Sequence, residues 1–483
     1  MGMPSIRRYR NVVGDERNLL ARFAGAIRRS DVRAPSAAAL PLRDAVPQAK
    51  TDLTSGGYRQ VLRFPGMKVL LAGCAPSDVG DNISFVAIPW TAISISTPKT
   101  AALLTGAAVA AYVLPGALGP ALFGRWLRRF SSLTLVRADA ILRAVTLGII
   151  PIVNIAGLLT SSTFVGLLAA SSLLHACGLA GRYTLVAELL PGRSRLTGNA
   201  LINSSGMAGV IAGPAIAGLI IGVSDAPTAI AIDAVSFAIL AVATLGIPRG
   251  SQRASLYDSD AKSKPPMKSG LEVLRRDREL ATVLIVSFLF AFLYGPIEVA
   301  LPLFVQSTLF GNSALLATIW TCFGIGAVIG GLATRFLDKI KIEVSMCVII
   351  FLWGASLVPP ILIPTAWVAV ASFALGGLFF APFPALCYTV FQRQVSGEQL
   401  SAVLAVRTSF SIVAAPTGSA VGGPISNAIG PGSTILLSGL STVVLALVSW
   451  ILIGQSRSRV FNGSRVAQIS REPSPAEVQI RSD

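Results

Sequence analysis

Gly432-Ser-Thr-Ile-Leu-Leu-Ser-Gly-Leu-Ser-Thr-Val-Val-Leu-Ala-Leu-Val-Ser-Trp-Ile-Leu-Ile453 runs for twenty-two residues without a charge. At about 1.5 Å per residue, a helix of that length crosses the hydrocarbon layer of about 30 Å. Runs of the same kind recur along the chain. The spacing predicts spans at 69–95, 101–123, 133–156, 162–186, 200–222, 227–247, 280–305, 314–335, 344–363, 366–391, 402–427 and 432–453. Proline interrupts several of them, as at Pro115, Pro151, Pro296 and Pro382. Spanning helices tolerate this because neighbouring groups satisfy the freed backbone. No strand-period alternation recurs, which argues against a transmembrane β-barrel. The expected fold class is an all-α polytopic membrane protein of twelve spans.

Composition agrees. Of 483 residues, 53% are apolar and 13% charged, against about 25% charged in soluble domains. The formal net charge of +17 raises the question of nucleic acid. Its distribution answers no, because the Lys and Arg residues gather in the segments between apolar runs and ahead of the first. Cys74, Cys177, Cys322, Cys347 and Cys387 stand singly inside apolar runs, without metal-ligand spacing or a disulfide framework. His175 is the sole histidine, so neither a His-based metal site nor a catalytic triad is expected. No Gly-x-x-x-x-Gly-Lys-Ser/Thr loop occurs, and no cofactor is implied.

The basic residues also give an orientation. Arg125, Arg128 and Arg129, then Arg193 and Arg195, the 248–279 connection, Lys339 and Lys341, Arg393 and both terminal segments share one side, and the other has only Lys99. The positive-inside rule then puts both termini and 248–279 in the cytoplasm of a cell (inner or plasma) membrane. The expected organisation is a basic extension at 1–66, six spans within 67–247, a linker at 248–279, six spans within 280–454 and a tail at 455–483. The extension is expected to be a disordered tail, with a basic amphipathic helix over Arg17 to Arg29 as the alternative. Gly124-Arg-Trp-Leu-Arg-Arg-Phe130 and Gly330-Gly-Leu-Ala-Thr-Arg-Phe336 follow the second and eighth spans. Gly213-Pro214 and Ala415-Pro416 match in spans five and eleven. Such recurrence favours a duplicated six-helix unit.

With Gly80-Asp81, Val86-Ala-Ile-Pro-Trp90, Ala138-Asp139 with Arg143, Asn199-Ala-Leu201 and Asp233-Ala-Val-Ser-Phe237 in this order, the chain resembles the major facilitator superfamily. The likeness is to its twelve-helix drug:proton antiporter members of the macrolide-efflux type, and it covers about 58–453. Gly209-x-x-x-Gly213-Pro214-x-x-x-Gly218 in span five resembles the family's antiporter motif, which implies export. Physically, its small residues allow close helix approach and its proline allows a bend. The loop motif departs from the family. Arg128 and Thr334 stand where an Asp is usual, and Ser131-Ser132 replaces a Gly-Arg pair. Arg129 and Arg335 remain, and any carboxylate partners must come from elsewhere.

Ionisable groups within spans are functional hypotheses by default. Asp78 and Asp81 lie near the middle of span one at i, i+3, with Asp233 in span six and Glu298 in span seven. A low-dielectric cleft favours the neutral form of a carboxylate, so Asp81, Glu298 and Asp233 are the proton-coupling candidates. Asp81 leads, since no cation adjoins it in sequence. Asp139 and Arg143 are expected to form an i, i+4 ion pair. Arg182 is a further member of the charge network, steering proton exchange or pairing with Asp139. The expected activity is proton-antiport export of a small amphipathic organic molecule such as an antibiotic, toxin or metabolite, by a monomer whose partners are substrate, protons and lipid. The alternatives are a flippase for a lysophospholipid or lipid precursor and a nutrient importer of the same fold. A membrane-embedded enzyme is disfavoured, since no catalytic constellation appears.

Overall fold

The computed structural model describes residues 56–127, 129–247, 267–395 and 397–469. Residues 1–55 with the Arg17 to Arg29 stretch, Arg128, most of the long connection and the tail past Ile469 lie outside them. The described residues contain helices and no strand. Among the described residues, nine helices are long and apolar enough to cross a membrane. They are α3 (Ser132–Ile155), α4 (Ser161–Leu189), α5 (Ser194–Val223), α6 (Ala226–Gly246), α7 (Arg278–Ser307), α8 (Ser313–Leu337), α9 (Ile342–Leu362), α10 (Ala366–Gln394) and α12 (Pro431–Leu452). Three more long helices pack among them: α1 (Pro65–Ser94), α2 (Ala101–Leu127) and α11 (Gly397–Ile429).

Local chemistry sets many of the ends. Asp225 accepts from the Thr228 amide at 2.8 Å to start α6, Asp277 accepts from Glu279 and Leu280 to start α7, and Asn312 caps α8. Each supplies an acceptor to amides that have no partner inside the helix. Ser131, where the family pattern has Gly, accepts from the Thr134 amide to open α3. Four features differ from the sequence reading. The helical run of α5 begins at Gly192, directly after Pro191, rather than at 200. The helix of α12 continues to Ile469, into the segment expected as tail. Three expected spans are broken, α4 at Leu173–Leu174, α9 at Leu357–Val358 and α10 at Ala381–Pro382. Pro382 explains the break in α10 because it has no N–H to continue the ladder; Leu173 and Leu174 have no such excuse. Finally, a separate helix, Met267–Arg276, lies inside the long connection.

α1 packs on α5 and α6, α7 on α11, and α8 on α10. Glycine permits the closest of these approaches. A side chain on Gly418 would strike the Phe292 carbonyl, and one on Gly295 the Ala415 carbonyl. The helices before and after the long connection meet mainly through α2 with α11 and α5 with α8. A Cβ on Gly106 would lie 2.8 Å from Gly423 Cα, so α2 and α11 touch backbone to backbone there. Ile93, Ala101, Ala102, Val109, Val299 and Leu303 form a separate apolar cluster across the same seam. All of these belong to the end that carries Lys99, away from the basic loops. α5 meets α8 at Gly218 against Ala317 and at Val210 against Gly324, whereas Gly206 and Gly331 face open space. The pair is therefore more loosely packed toward the basic end.

Candidate functional site

A cluster of charges fills the space between α1, α2, α3 and α6. Arg143 is its centre. Its Nη1 lies 2.5 Å from Asp81 Oδ1 and 3.3 Å from the Tyr112 hydroxyl, which itself donates to Asp81 at 2.7 Å. The guanidinium carbon sits 5.2 Å from the Tyr112 ring and 4.8 Å from the Phe237 ring, which shields it from lipid. Ser84, one turn beyond Asp81, donates to Asp233 at 2.5 Å, and Ser236 donates to Asp233 from its own helix. Asp233 is fully buried. The absence of a neighbouring cation in sequence had pointed to Asp81 as an unpaired carboxylate; the structure corrects this, because α3 delivers Arg143 to it. The expected i, i+4 pair between Asp139 and Arg143 is present but loose at 3.7 Å, too long for a hydrogen bond. Asp139 fits only because Gly178 on α4 leaves it room.

Asp78 has a different partner. Arg182 Nη1 donates to its Oδ1 at 2.7 Å, Ser205 of α5 donates to its Oδ2 at 2.7 Å, and Arg182 Nη2 reaches Ser77 at 3.1 Å. Arg182 thus pairs with Asp78 and not with Asp139. The two acids of α1, neighbours on one helix face, tie that helix to α3 on one side and to α4 and α5 on the other. A buried guanidinium held by a carboxylate and further hydrogen bonds satisfies the rule that interior charge is paired.

The small residues of α5 lie on two seams. A Cβ at Gly209 would meet the backbone of Asp78 at 2.5 Å, and one at Gly213 the backbone of Asn82 at 2.8 Å, so both glycines press on α1. Pro214 sits within the helix just beyond. Gly218, a turn further, instead faces Ala317 and Ala314 of α8. The motif read from sequence therefore contacts α1 with its first two glycines and α8 with its last.

In the later helices, Glu298 on α7 accepts from Ser419 of α11 at 3.0 Å and has no ion pair among the described residues. One turn earlier, Tyr294 joins an aromatic group with Trp320, Phe323, Trp353 and Phe380, ring centroids 5.4–6.5 Å apart. Phe85 of α1 completes it edge-on to Trp320 at 4.8 Å. Arg407 on α11 lies with its guanidinium carbon 3.9 Å from the centre of the Tyr388 ring. The sequence reading missed both Arg407 and Tyr112. Arg407 had a signal, an arginine inside an apolar run; Tyr112 had none.

At the basic end, Arg129 is exposed and Arg335 stacks over Phe336 at 4.7 Å. Neither forms an ion pair with a described carboxylate. The acidic residue after Arg182, Glu188, instead accepts from Ser132 at 2.7 Å.

A bundle of apolar helices holding ion-paired groups within its spans fits a secondary transporter. Residues 70–359 match the Major Facilitator Superfamily, and the chain belongs to that family of transporters. It is 27% identical over 243 residues to macrolide efflux protein A of Streptococcus pyogenes, which is 49% of this chain and 60% of that protein. It is 24% identical over 413 residues to the MFS-type transporter y4rN of Sinorhizobium fredii, 81% of this chain and 96% of that one. The structure of the nucleoside transporter NupG superposes with a TM-score of 0.67 at 16% identity, over 80% of this chain and 99% of that one. The last likeness is one of fold.

Proposed function

We propose that the chain exports a small amphipathic organic molecule across the cell membrane in exchange for protons, with its basic end in the cytoplasm. Residues 67–247 and 280–454 act as two units in this reading, and the cleft of the present state faces inward. The observation that carries it is the position of the α5 motif. Gly209 and Gly213 lock α5 to α1, while Gly218 rests on α8 across the seam between the two units. A helix fixed to one unit and touching the other through small apolar contacts, Gly218 on Ala317 and Val210 on Gly324, can pivot without unpacking either. Similarity to a macrolide efflux protein supports the outward direction and an amphipathic cargo.

For proton carriage, Glu298 is the better-placed group. It faces Ser419 and no cation, so taking up a proton removes an uncompensated charge rather than breaking an ion pair. Asp233 comes second, held by serines alone at hydrogen-bonding distance. Asp81 is held by Arg143, and coupling through it requires that pair to separate. A proton moving down 100 mV supplies about 2.3 kcal/mol, near a fiftyfold accumulation. The test is uptake of a radiolabelled macrolide into inverted vesicles under an imposed pH gradient. Gradient-dependent accumulation is expected. Accumulation indifferent to the gradient refutes proton exchange, and accumulation only in right-side-out vesicles refutes export.

A further inference from the structure

Arg407 differs from the other buried guanidinium groups. It is 6% exposed, and its Nε, like that of Arg143, is buried with no hydrogen-bond partner. Arg143 and Arg182 each have a carboxylate within 3 Å, whereas no described carboxylate lies within 4 Å of Arg407. Its company is the Tyr388 ring and the Cys387 thiol, itself beside Ser287 at 3.2 Å. The ring offsets part of the desolvation cost. A charge kept this far from water still lacks its counter-ion. Its place in the fold says where one could come from. Arg407 precedes Ser419 by twelve residues on α11, so it sits about 18 Å from Glu298 toward the open, basic end. At a similar depth the earlier helices present Asp78 already bound by Arg182 and Ser205. Tyr388 is partly exposed, which leaves ring surface for an apolar body to rest on.

We propose that Arg407 and Tyr388 form a receptor for an organic anion, a carboxylate or sulfonate joined to an apolar or aromatic body that enters from the open end of the cleft. The carboxylate supplies the acceptor that Nε lacks, and the guanidinium plane suits it in a two-bonded, fork-like geometry. The proposal goes beyond the transport reading by adding an anionic ligand class to it, and it rests on that reading only for the cleft.

The test uses the full chain in phosphatidylcholine nanodiscs, with 4-phenylbutyrate and its uncharged isostere 4-phenylbutyramide as probes. Binding is read as the shift of the thermal unfolding midpoint with probe concentration. Wild type should bind the acid at least about tenfold more tightly than the amide, the scale of one charge-assisted hydrogen bond. Arg407→Gln should bring the two probes within about twofold of each other. Arg407→Lys should keep part of the preference, since it keeps the charge and loses the fork. Equal binding of acid and amide by wild type overturns the proposal whether or not any variant folds. An undiminished preference in Arg407→Gln overturns it too. A third arm adds phosphatidylglycerol to the discs. If that lipid stabilises wild type but not Arg407→Gln while phenylbutyrate does neither, the anion is a headgroup and the proposal fails. These arms measure binding, so their failure is distinct from a failure of macrolide export in vesicles.

Discussion

Gly213→Leu is the substitution that most directly tests the α5 seam. The Cβ alone would lie 2.8 Å from the Asn82 carbonyl carbon and 3.0 Å from the Val79 oxygen, and it would also overlap Asn82 Cβ. Two of those three neighbours are backbone, which cannot rotate out of the way, so α1 and α5 must separate. Overpacking of this kind costs about 1–3 kcal/mol. At about 1.4 kcal/mol per factor of ten, the packed arrangement loses about five- to 150-fold in population relative to any state in which the seam is open. Gly213→Ala, with the Cβ but no further bulk, should show the lower end of that range. Gly222→Leu is the control, because a Cβ there meets nothing within 4 Å. The assay pairs macrolide uptake in inverted vesicles with membrane expression and the unfolding midpoint of the purified protein. Transport should vanish in Gly213→Leu, fall in Gly213→Ala and persist in Gly222→Leu, with expression largely kept. Near wild-type transport by Gly213→Leu would refute the close seam and remove the main structural support for export.

Asp78→Asn leaves Arg182 buried without its counter-charge and should cost about 3–5 kcal/mol, seen as a lower unfolding midpoint. The double variant Asp78→Asn with Arg182→Gln should recover much of that loss, and a double variant no better than the single refutes a dominant ion pair. Glu298→Gln should abolish gradient-driven accumulation while keeping downhill exchange and folding. Asp81→Asn, by contrast, should lower the unfolding midpoint or expression, because Arg143 loses its nearest carboxylate; uphill transport lost with full stability would return Asp81 to the carrier role. A reporter fused after Ser456 or within residues 251–268 should behave as intracellular, and an extracytoplasmic signal from either would reverse the orientation.

Much of the fold was legible because lipid leaves few options for the backbone, so length and apolarity alone locate a span. Gly432 to Ile453 was placed within a residue at its start for that reason. Helix ends written in capping chemistry, such as Asp277 and Asn312, also came out within two residues. What failed was whatever depends on a partner distant in sequence. Arg143 reaches Asp81 across 62 residues and Arg182 reaches Asp78 across 104. Sequence spacing favoured the i, i+4 neighbour Asp139 for Arg143, but the tertiary partner is nearer by more than an ångström. The break in α4 was invisible because Leu173 and Leu174 are ordinary helix formers. Glycines were legible as a small-residue face, but not as two faces, since Gly213 and Gly218 meet different helices only after the bundle has assembled.

The bonds are distributed unevenly, and that distribution bears on where the protein can move. Within α1–α6 the ties are polar and long-range: Asp81 to Arg143, Asp78 to Arg182 and Ser205, Asp233 to Ser84, and Arg137 to Thr244. Parting these helices would strand charge in a low-dielectric interior, at several kcal/mol for each ion. Across the seam to α7–α12 the contacts are of another kind. Gly106 lies on Gly423, Gly218 on Ala317, Val210 on Gly324, and Val109 shares an apolar cluster with Val299 and Leu303. Dispersion between small apolar groups is lost in small increments and regained wherever similar surfaces meet again. In lipid, no hydrophobic penalty follows when such a face opens to a chain of equal apolarity. Directional bonds therefore hold the early helices to one another, and undirected contacts join them to the late ones. A rocking motion would break the second class and spare the first, which supports motion of 67–247 and 280–454 as two units over any rearrangement inside either.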